Sequence, residues 1–450
     1  MLETPRDVVP LRESTKAWFL ISLQTFGGPA GQIAVMQRTL VDERRWIGER
    51  RFMHALSYCM LLPGPEAQQL AVYTGWLLNG WLGGLIAGVL FVLPGLVTIL
   101  ALSVLYVAQG DTAVVSGLFL GLAPAVVAVV VQAVVRLSSR TLHHPALVAL
   151  AATAFVLLAV LGLPFPLVVL GAGAAGWWIG SRWPDVMSRP VSPAAGDAVA
   201  PLVPDDALHR ARPSARRSGR ILVLGAALWV APVLAAWVLA SGARTVFTDQ
   251  GIFFGGMALV TFGGAYAVLS YVAQAAVGTF GWLSAGEMVR GLGLAESTPG
   301  PLIMVVQFVA FLGAYRNPGD LDPWLAGVLG SLLTVWVTFV PCFVFIFLGA
   351  PYVERLRDSA RLASALTGVM AAVVGVIANL AVYFAVHTLF ARTRSITSGP
   401  LDLVLPVWSS YQWSVIAVLG LALVLVFRLK WSVLRTLGVC ALAGLGLSLL

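Results

Sequence analysis

The chain of 450 residues is 59% hydrophobic and 11% charged, with a formal net charge of +8. Soluble domains carry roughly 25% charged residues, so a water-soluble fold is excluded and a polytopic protein of the lipid bilayer is expected. The basic excess does not point to nucleic acid, because 26 of the 28 basic residues are Arg, gathered in short loops between apolar runs as positive-inside topology requires.

Met1 to Lys16 is polar and lacks the ordered basic, apolar and small-residue stretches of a signal peptide, so the first hydrophobic segment is expected to insert directly. At about 20 apolar residues per spanning helix, the first half reads as segments at 17–37 (broken), 52–79 (broken), 82–108, 113–135, 146–161 and 164–181. Trp183 to Gly219 is polar, holds six Pro and reads as a loose cytoplasmic linker. The second half follows with 220–240, 251–273 (broken), 286–314 (broken), 324–349, 362–388, 411–427 and 431–450. The expected organisation is a repeat at 1–182, a linker at 183–219 and a second repeat at 220–450.

The two broken pairs are related. Residues 25–65 align without a gap on 261–301, with ten identities in 41 positions. Thr25-Phe26-Gly27-Gly28 recurs as Thr261-Phe262-Gly263-Gly264, Trp46 as Trp282, and Pro63-Gly64-Pro65 as Pro299-Gly300-Pro301. Paired interrupted segments in two halves point to a transporter with a binding site between them. The added helix at 220–240 inverts the second half, and the loops agree: Arg38 to Arg51 holds five Arg, whereas its repeat Gln274 to Arg290 keeps only Arg290. Arg392 and Arg394 do not fit this scheme, and a parallel arrangement stays open. The fold class expected is an all-α polytopic membrane protein, its two inverted repeats carrying broken helices that meet near the bilayer midplane.

Trp18 to Phe26 makes only about 14 Å of helix at 1.5 Å per residue, half a bilayer core, so Gly27-Gly28-Pro29 should separate two half-helices. Unwound backbone at that depth needs cover from protein or a watery cavity. A helix that begins just after such a break offers free N–H groups and a partial positive charge to an anion. Gly31, Gln32, Gln68, Gln69 and Thr298 are polar or small neighbours of the breaks, fit to hydrogen-bond an oxyanion. Arg38 and Arg290 are the nearest fixed charges by sequence and suit bidentate oxyanion contact, although most Arg here are topology signals. Glu66 and Glu296 flank the breaks, and a carboxylate at that depth is by default a functional candidate, here a proton carrier. The alternatives are packing kinks for the breaks and solvated charges for the glutamates.

With Phe26-Gly27-Gly28-Pro29, Leu62-Pro63-Gly64-Pro65-Glu66-Ala67-Gln68-Gln69-Leu70 and Thr298-Pro299-Gly300-Pro301-Leu302 in place, the chain resembles the chromate ion transporter family, in its long form with both halves in one polypeptide. The likeness runs through about 17–140 and 250–390. It implies export of chromate across the bacterial inner membrane, linked to protons through the proton motive force, with sulfate as a competitor. The motif positions carried over are Gly27, Gly28, Pro29, Pro63, Gly64, Pro65, Gln68 and Gln69, then Gly263, Gly264, Pro299, Gly300 and Pro301. The second half departs from the first: Ala265 replaces Pro29, Leu302 replaces Glu66, and Met304 and Val305 replace Gln68 and Gln69. An asymmetric site, with most side-chain contacts from the first half, is expected.

Other signals are weaker. Gly171-Ala172-Gly173-Ala174-Ala175-Gly176 matches a dinucleotide fingerprint but sits inside an apolar run, as a close-packing helix face would. Cys59, Cys342 and Cys440 lie far apart, and the five His show no ligand spacing, so no disulfide, metal, cofactor or enzyme activity is expected. A sulfate or other tetrahedral-oxyanion permease, and a channel or anion sensor, remain open as functions. A homodimer is expected without a residue-level reason.

Overall fold

The structure, a computed structural model, describes residues 8–26, 28–60, 62–110, 112–187, 202–203, 215–262, 264–349, 360–398 and 401–449. The linker expected at 183–219 lies mostly outside them. The fold is all-α and polytopic. Among the described residues, five helices are long and apolar enough to cross a membrane: Glu66–Gln109, Ala113–Thr141, Ala215–Leu239, Pro323–Gly349 and Arg361–Leu389. They contain the spans expected from composition at 82–108, 113–135, 324–349 and 362–388, and that at 220–240 up to Leu239.

In chain order the N-terminal half comprises α1 (Leu11–Ser22), α2 (Gly28–Gln37), α3 (Glu49–Cys59), α4 (Glu66–Gln109), α5 (Ala113–Thr141), α6 (Pro145–Ala159) and α7 (Phe165–Arg182), followed by the short α8 (Pro184–Met187). The C-terminal half comprises α9 (Ala215–Leu239), α10 (Val246–Val260), α11 (Ala265–Ala273), α12 (Ala285–Ser297), α13 (Val305–Arg316), α14 (Pro323–Gly349), α15 (Ala360–Leu389), a β-hairpin, α16 (Trp413–Leu423) and α17 (Val433–Ser448).

Three details stand out beside the sequence reading: two depart from it, and the reversal at Asn79–Gly80 falls at the boundary drawn between 52–79 and 82–108. Helix α1 starts at Leu11, inside the polar stretch, and ends at Ser22, short of Phe26. It is amphipathic, burying Ala17, Trp18 and Ile21 while Arg12, Glu13 and Lys16 stay exposed, so its charged face hides it from a search for apolar runs. The segment 52–79 ends in a reversal: Asn79 and Gly80 leave helical geometry inside α4, Gly80 with a φ of 63°. The third is the hairpin, in which Thr393–Ser398 (β1) pairs antiparallel with Leu401–Pro406 (β2), Thr393 opposite Pro406 and Ser398 opposite Leu401.

The local geometry of the repeats agrees to the residue. A π-helical segment follows α2 at Arg38–Glu43, and another follows α11 at Gln274–Thr279, 236 positions on. Each is closed by the same pair of bonds: Arg44 N–H to Thr39 O and Trp46 N–H to Leu40 O, then Phe280 N–H to Ala275 O and Trp282 N–H to Ala276 O. Left-handed Arg45 corresponds to left-handed Gly281.

The chain folds as two compact units, each drawing segments from both repeats. Unit one is 1–100, 190–264 and 298–359; unit two is 101–189, 265–297 and 360–450. In unit one the two arms of α4 pack against each other after the Asn79–Gly80 reversal. Gly75 makes this possible, because a Cβ there would stand 2.5 Å from the Gly83 carbonyl oxygen and 2.6 Å from Ala87 Cβ. Val8 and Val9 fasten the reversal, the Val8 N–H donating to Leu78 O at 3.0 Å and Asn79 Nδ2 to Val9 O at 2.6 Å.

Helices α9 and α14 in the same unit each contain a proline, Pro232 and Pro341. Each proline lacks an N–H and strands the carbonyl four residues earlier, namely Leu228 and Val337. The stranded groups are satisfied reciprocally: Trp336 Nε1 donates to Leu228 O and Trp229 Nε1 to Val337 O, both at 2.8 Å. In lipid an unsatisfied carbonyl has no water to turn to.

In unit two, Gly176 packs against Gly368 of α15, where a Cβ would fall 2.8 Å from the Gly368 Cα. This is the close-packing role read from the glycine-rich run of α7. Gly121 of α5 meets Gly444 of α17 in the same way, a Cβ on Gly444 falling 2.6 Å from Gly121 Cα. Small residues let membrane helices approach and gain dispersion contacts where no hydrophobic driving force exists between them.

Loss of a buried hydrogen-bond donor costs about 1–3 kcal/mol, so Trp229→Phe is expected to destabilise the protein by that order. In the Pro341→Ala background residue 341 supplies the missing N–H to Val337, and the cost of Trp229→Phe should fall by half or more. Thermal unfolding in detergent of the two single variants and the double variant checks this; equal costs in both backgrounds would remove the carbonyl argument.

Candidate functional site

Glycine and proline lie between successive half-helices. Helix α1 has 12 residues and α10 has 15, about 18 and 23 Å at 1.5 Å per residue, too short to cross a hydrocarbon core of about 30 Å. Four break glycines adopt positive φ in matched pairs, Gly28 (73°) with Gly264 (98°) and Gly64 (118°) with Gly300 (109°). Side-chain-bearing residues are strained in that region. Gly27 and Gly263, also expected here, lie outside the described residues.

The breaks close on one another within unit one. The Gly64 N–H donates to Thr261 O at 2.8 Å, and the Gly300 N–H donates to Thr25 O at 3.0 Å. The two bonds are the same bond made twice, since Thr25 and Thr261, and Gly64 and Gly300, are equivalent positions. Both threonines are buried and turn their hydroxyls back on their own helices, Thr25 to Ser22 O and Thr261 to Met257 O. A second matched pair backs them. Pro94-Gly95 of α4 lies behind Gly300, where a Cβ would stand 2.9 Å from Gly95 Cα, and Pro341-Cys342 of α14 lies behind Gly64, where it would stand 2.8 Å from Cys342 Sγ.

Side chains of the first repeat surround this crossing. Gln32 is buried, and its Nε2 donates to Gly300 O at 2.7 Å, reaching 268 residues along the chain. Gln69 Nε2 donates to Pro63 O at 2.6 Å, and its Oε1 has no partner among the described residues. Gln68 is fully enclosed with neither Nε2 nor Oε1 bonded among the described residues. A primary amide buried with no partner costs on the order of 1–3 kcal/mol, a cost that a polar occupant beside Gln68 would offset. Glu66 opens α4 beside these glutamines, with Oε1 3.6 Å from where a Cβ of Gly264 would stand. Pro65 and Pro301 close the breaks as acceptors for the first bonds of the next turn, from Gln69 N–H and Met304 N–H. Thr298 is buried beside Pro299, whose carbonyl faces Gly95. Pro29 and Gly31 occupy the first turn of α2, where Gly31 sits too close to Phe26 O to carry a Cβ.

The remaining candidates have other surroundings. Arg38 is 54% exposed; Nη2 donates to Gln24 Oε1 at 2.9 Å, and Nε pairs with Glu43 at 3.4 Å. Arg290 belongs to unit two, where Nη1 donates to the Tyr106 hydroxyl at 3.2 Å and the guanidinium lies 5.4 Å from the Phe119 ring centre. Glu296 is also in unit two, buried; its Oε1 accepts from the Tyr266 hydroxyl, and its Oε2 has no partner among the described residues. Tyr266, Gly95 and Cys342 are absent from the sequence-derived set. Pro94 and Pro341 signal the last two, each opening a matched dipeptide in the span that follows a break, whereas Tyr266 carries no local signal.

The crossing therefore leaves the Gln68 amide unbonded among the described residues, with the N-termini of α2, α4 and the turn Leu302–Met304 close in sequence to the bonded glycines. That chemistry suits an anion held by dipoles. A family model described as chromate transporter matches residues 13–177 and 248–445. The chain belongs to the chromate transporter family. A chromate transport protein of Pseudomonas aeruginosa is 32% identical over 386 residues, 84% of this chain and 81% of the relative. One of Cupriavidus metallidurans is 26% identical over 83% of this chain and 82% of the relative. The transporter YwrA of Bacillus subtilis matches only 110 residues, at 29% identity, covering 24% of this chain and 62% of the relative. No solved structure gives a significant match.

In this family member the two break glycines differ in what a methyl would strike, backbone at Gly300 and two side chains, those of Cys342 and Gln69, at Gly64. Gly300→Ala is expected to lower the thermal midpoint in detergent more than Gly64→Ala, and Cys342→Ala should recover part of the Gly64→Ala loss. Equal losses without rescue would count against these close approaches.

Proposed function

We propose that this protein exports chromate from the cytoplasm across the bacterial inner membrane, driven by the proton motive force. The observation that carries the reading is the enclosed crossing of the breaks, where the Gln68 amide keeps both its polar atoms unbonded among the described residues beside a helix start. The two named chromate transport proteins, matched over more than four-fifths of the chain, supply the substrate. Chromate is a dianion, and moving two charges outward through an inside-negative potential releases about 4.6 kcal/mol per 100 mV. The potential alone therefore gives substantial drive in the export direction.

On this reading the repeats are inverted, and the crossing lies near the bilayer midplane. Glu66 carries the proton at the crossing and Glu296 carries one in unit two. Sulfate, of the same charge and similar shape, competes for the same donors. Neutral donors are strong enough for a dianion, since each hydrogen bond to a charged group contributes about 1.5–3 kcal/mol.

Uptake of chromate into energised inside-out vesicles tests this. Accumulation that an uncoupler abolishes and excess sulfate reduces is expected, with Gln68→Leu lowering uptake about 10-fold or more, from the loss of one charged hydrogen bond. Glu66→Gln should leave chromate binding measurable while removing most of the response to an imposed pH gradient. Equilibration without accumulation would replace the exporter by a channel, and sulfate accumulation without chromate transport would replace it by a sulfate permease.

A further inference from the structure

Helix α14 of unit one carries Ser331, Thr334 and Thr338, all fully buried. Their spacing of three and four residues puts them on one face. Hydroxyls in apolar helices ordinarily turn back to the carbonyl four residues earlier, as Thr74, Thr98, Thr261, Thr367 and Thr436 do here. The hydroxyls of Ser331, Thr334 and Thr338 do not, and none has a partner among the described residues.

Two buried glutamines stand on the helices packed against α14, Gln250 on α10 and Gln307 on α13. A Cβ on Gly330 would stand 2.7 Å from Gln250 Oε1 and 3.3 Å from Ala310 O, which places Gln250 and the facing turn of α13 beside Gly330, next in sequence to Ser331. Gln250 Nε2 donates to Ala310 O at 2.9 Å, and Gln307, one turn along α13, donates through Nε2 to Leu96 O at 3.0 Å. Both Oε1 atoms are buried without a partner among the described residues. At its other end the α14 face reaches Cys342, which abuts the Gly64 break. From Ser331 to Cys342 the face runs about 16 Å at 1.5 Å per residue.

The chemistry of these atoms identifies the occupant. Each glutamine has committed one N–H to backbone and presents an unbonded acceptor oxygen, which repels an oxyanion. Hydroxyls donate and accept. Two acceptors among three amphiprotic groups suit water, which needs two to four polar partners at a buried site. We infer that the Ser331–Thr334–Thr338 face of α14, with Gln250 and Gln307, holds a file of water running from the Pro323 side of α14 to the Gly64 break. Such a file hydrates the break and gives protons a hydrogen-bonded route to it. The inference does not depend on chromate being the cargo.

Radiolytic hydroxyl labelling of the intact protein in oxygen-18 water tests it, since radicals made from bound water modify the side chains beside it. The peptide bearing Ser331, Thr334 and Thr338, and Phe311, which packs on Gly327 one turn away, should label at least about 10-fold faster than the equally enclosed Phe165 and Phe384 of unit two. Thr334→Val with Thr338→Val, similar in shape without the hydroxyls, should reduce that labelling several-fold. Labelling of the wild-type seam no faster than Phe165 and Phe384 overturns the inference. If the double variant does not fold, the wild-type comparison decides alone. Transport is not the readout, so failure of the chromate reading leaves this result intact.

Discussion

Two backbone hydrogen bonds, Gly64 to Thr261 and Gly300 to Thr25, hold the constraint from which much of unit one follows. A helix broken in apolar surroundings exposes N–H and C=O groups with no water to receive them. Neither repeat can satisfy its own break, because the half-helices flanking it have already used their internal partners. Each break instead satisfies the other, and that is possible only if the two have the same shape. The identical spacing of Thr-Phe-Gly-Gly and Pro-Gly-Pro in both halves is therefore a condition of the bond. Close approach of the strands also explains the glycines, since a side chain at Gly300 would meet the backbone of Gly95.

The same principle recurs farther from the crossing. Proline kinks in α9 and α14 strand one carbonyl each, and a tryptophan from the opposite helix answers each of them. The arrangement is again reciprocal. Such exchange lets the chain keep interruptions inside lipid that would otherwise cost several kcal/mol each.

Much of this was legible in the sequence and some was not, for definite reasons. Gly and Pro are local punctuation, so the breaks and their fixed offset of 236 residues could be read directly. The spans could be read from apolar length. Helix α1 escaped because its exposed face carries Arg12, Glu13 and Lys16, and the β-hairpin because its two strands of six residues are far shorter than the apolar length sought for a span. The surroundings of Arg38 and Arg290 did not follow from nearness in sequence to a break. Arg38 is held by Gln24 and Glu43, and Arg290 by Tyr106 and Phe119; a long side chain goes where partners exist, and those partners are set by tertiary packing. The polar face of α14 was readable as a spacing, but only the structure shows that its hydroxyls do not turn back on their own helix.

On a backbone this symmetric, the asymmetry lies in side chains. Gln32, Glu66, Gln68 and Gln69 of the first repeat correspond to Val268, Leu302, Met304 and Val305 of the second. One repeat supplies polar groups, while the other supplies the carbonyl that Gln32 grips and the glycine that Glu66 faces. For a transporter of dianions this division has a physical rationale. A fixed Arg in a low-dielectric pocket would bind a dianion strongly and release it slowly, whereas a site must bind well enough to load and weakly enough to empty. Amides and helix starts supply partial charges in between. On the proposed reading Glu66 provides the remaining control. As a carboxylic acid it can donate a hydrogen bond to an anion at the crossing, and as a carboxylate it repels that anion. Loss of its proton then empties the site and sends a proton out with each chromate, so on this reading the drive comes from the membrane potential acting on the one net negative charge that leaves, about 2.3 kcal/mol per 100 mV.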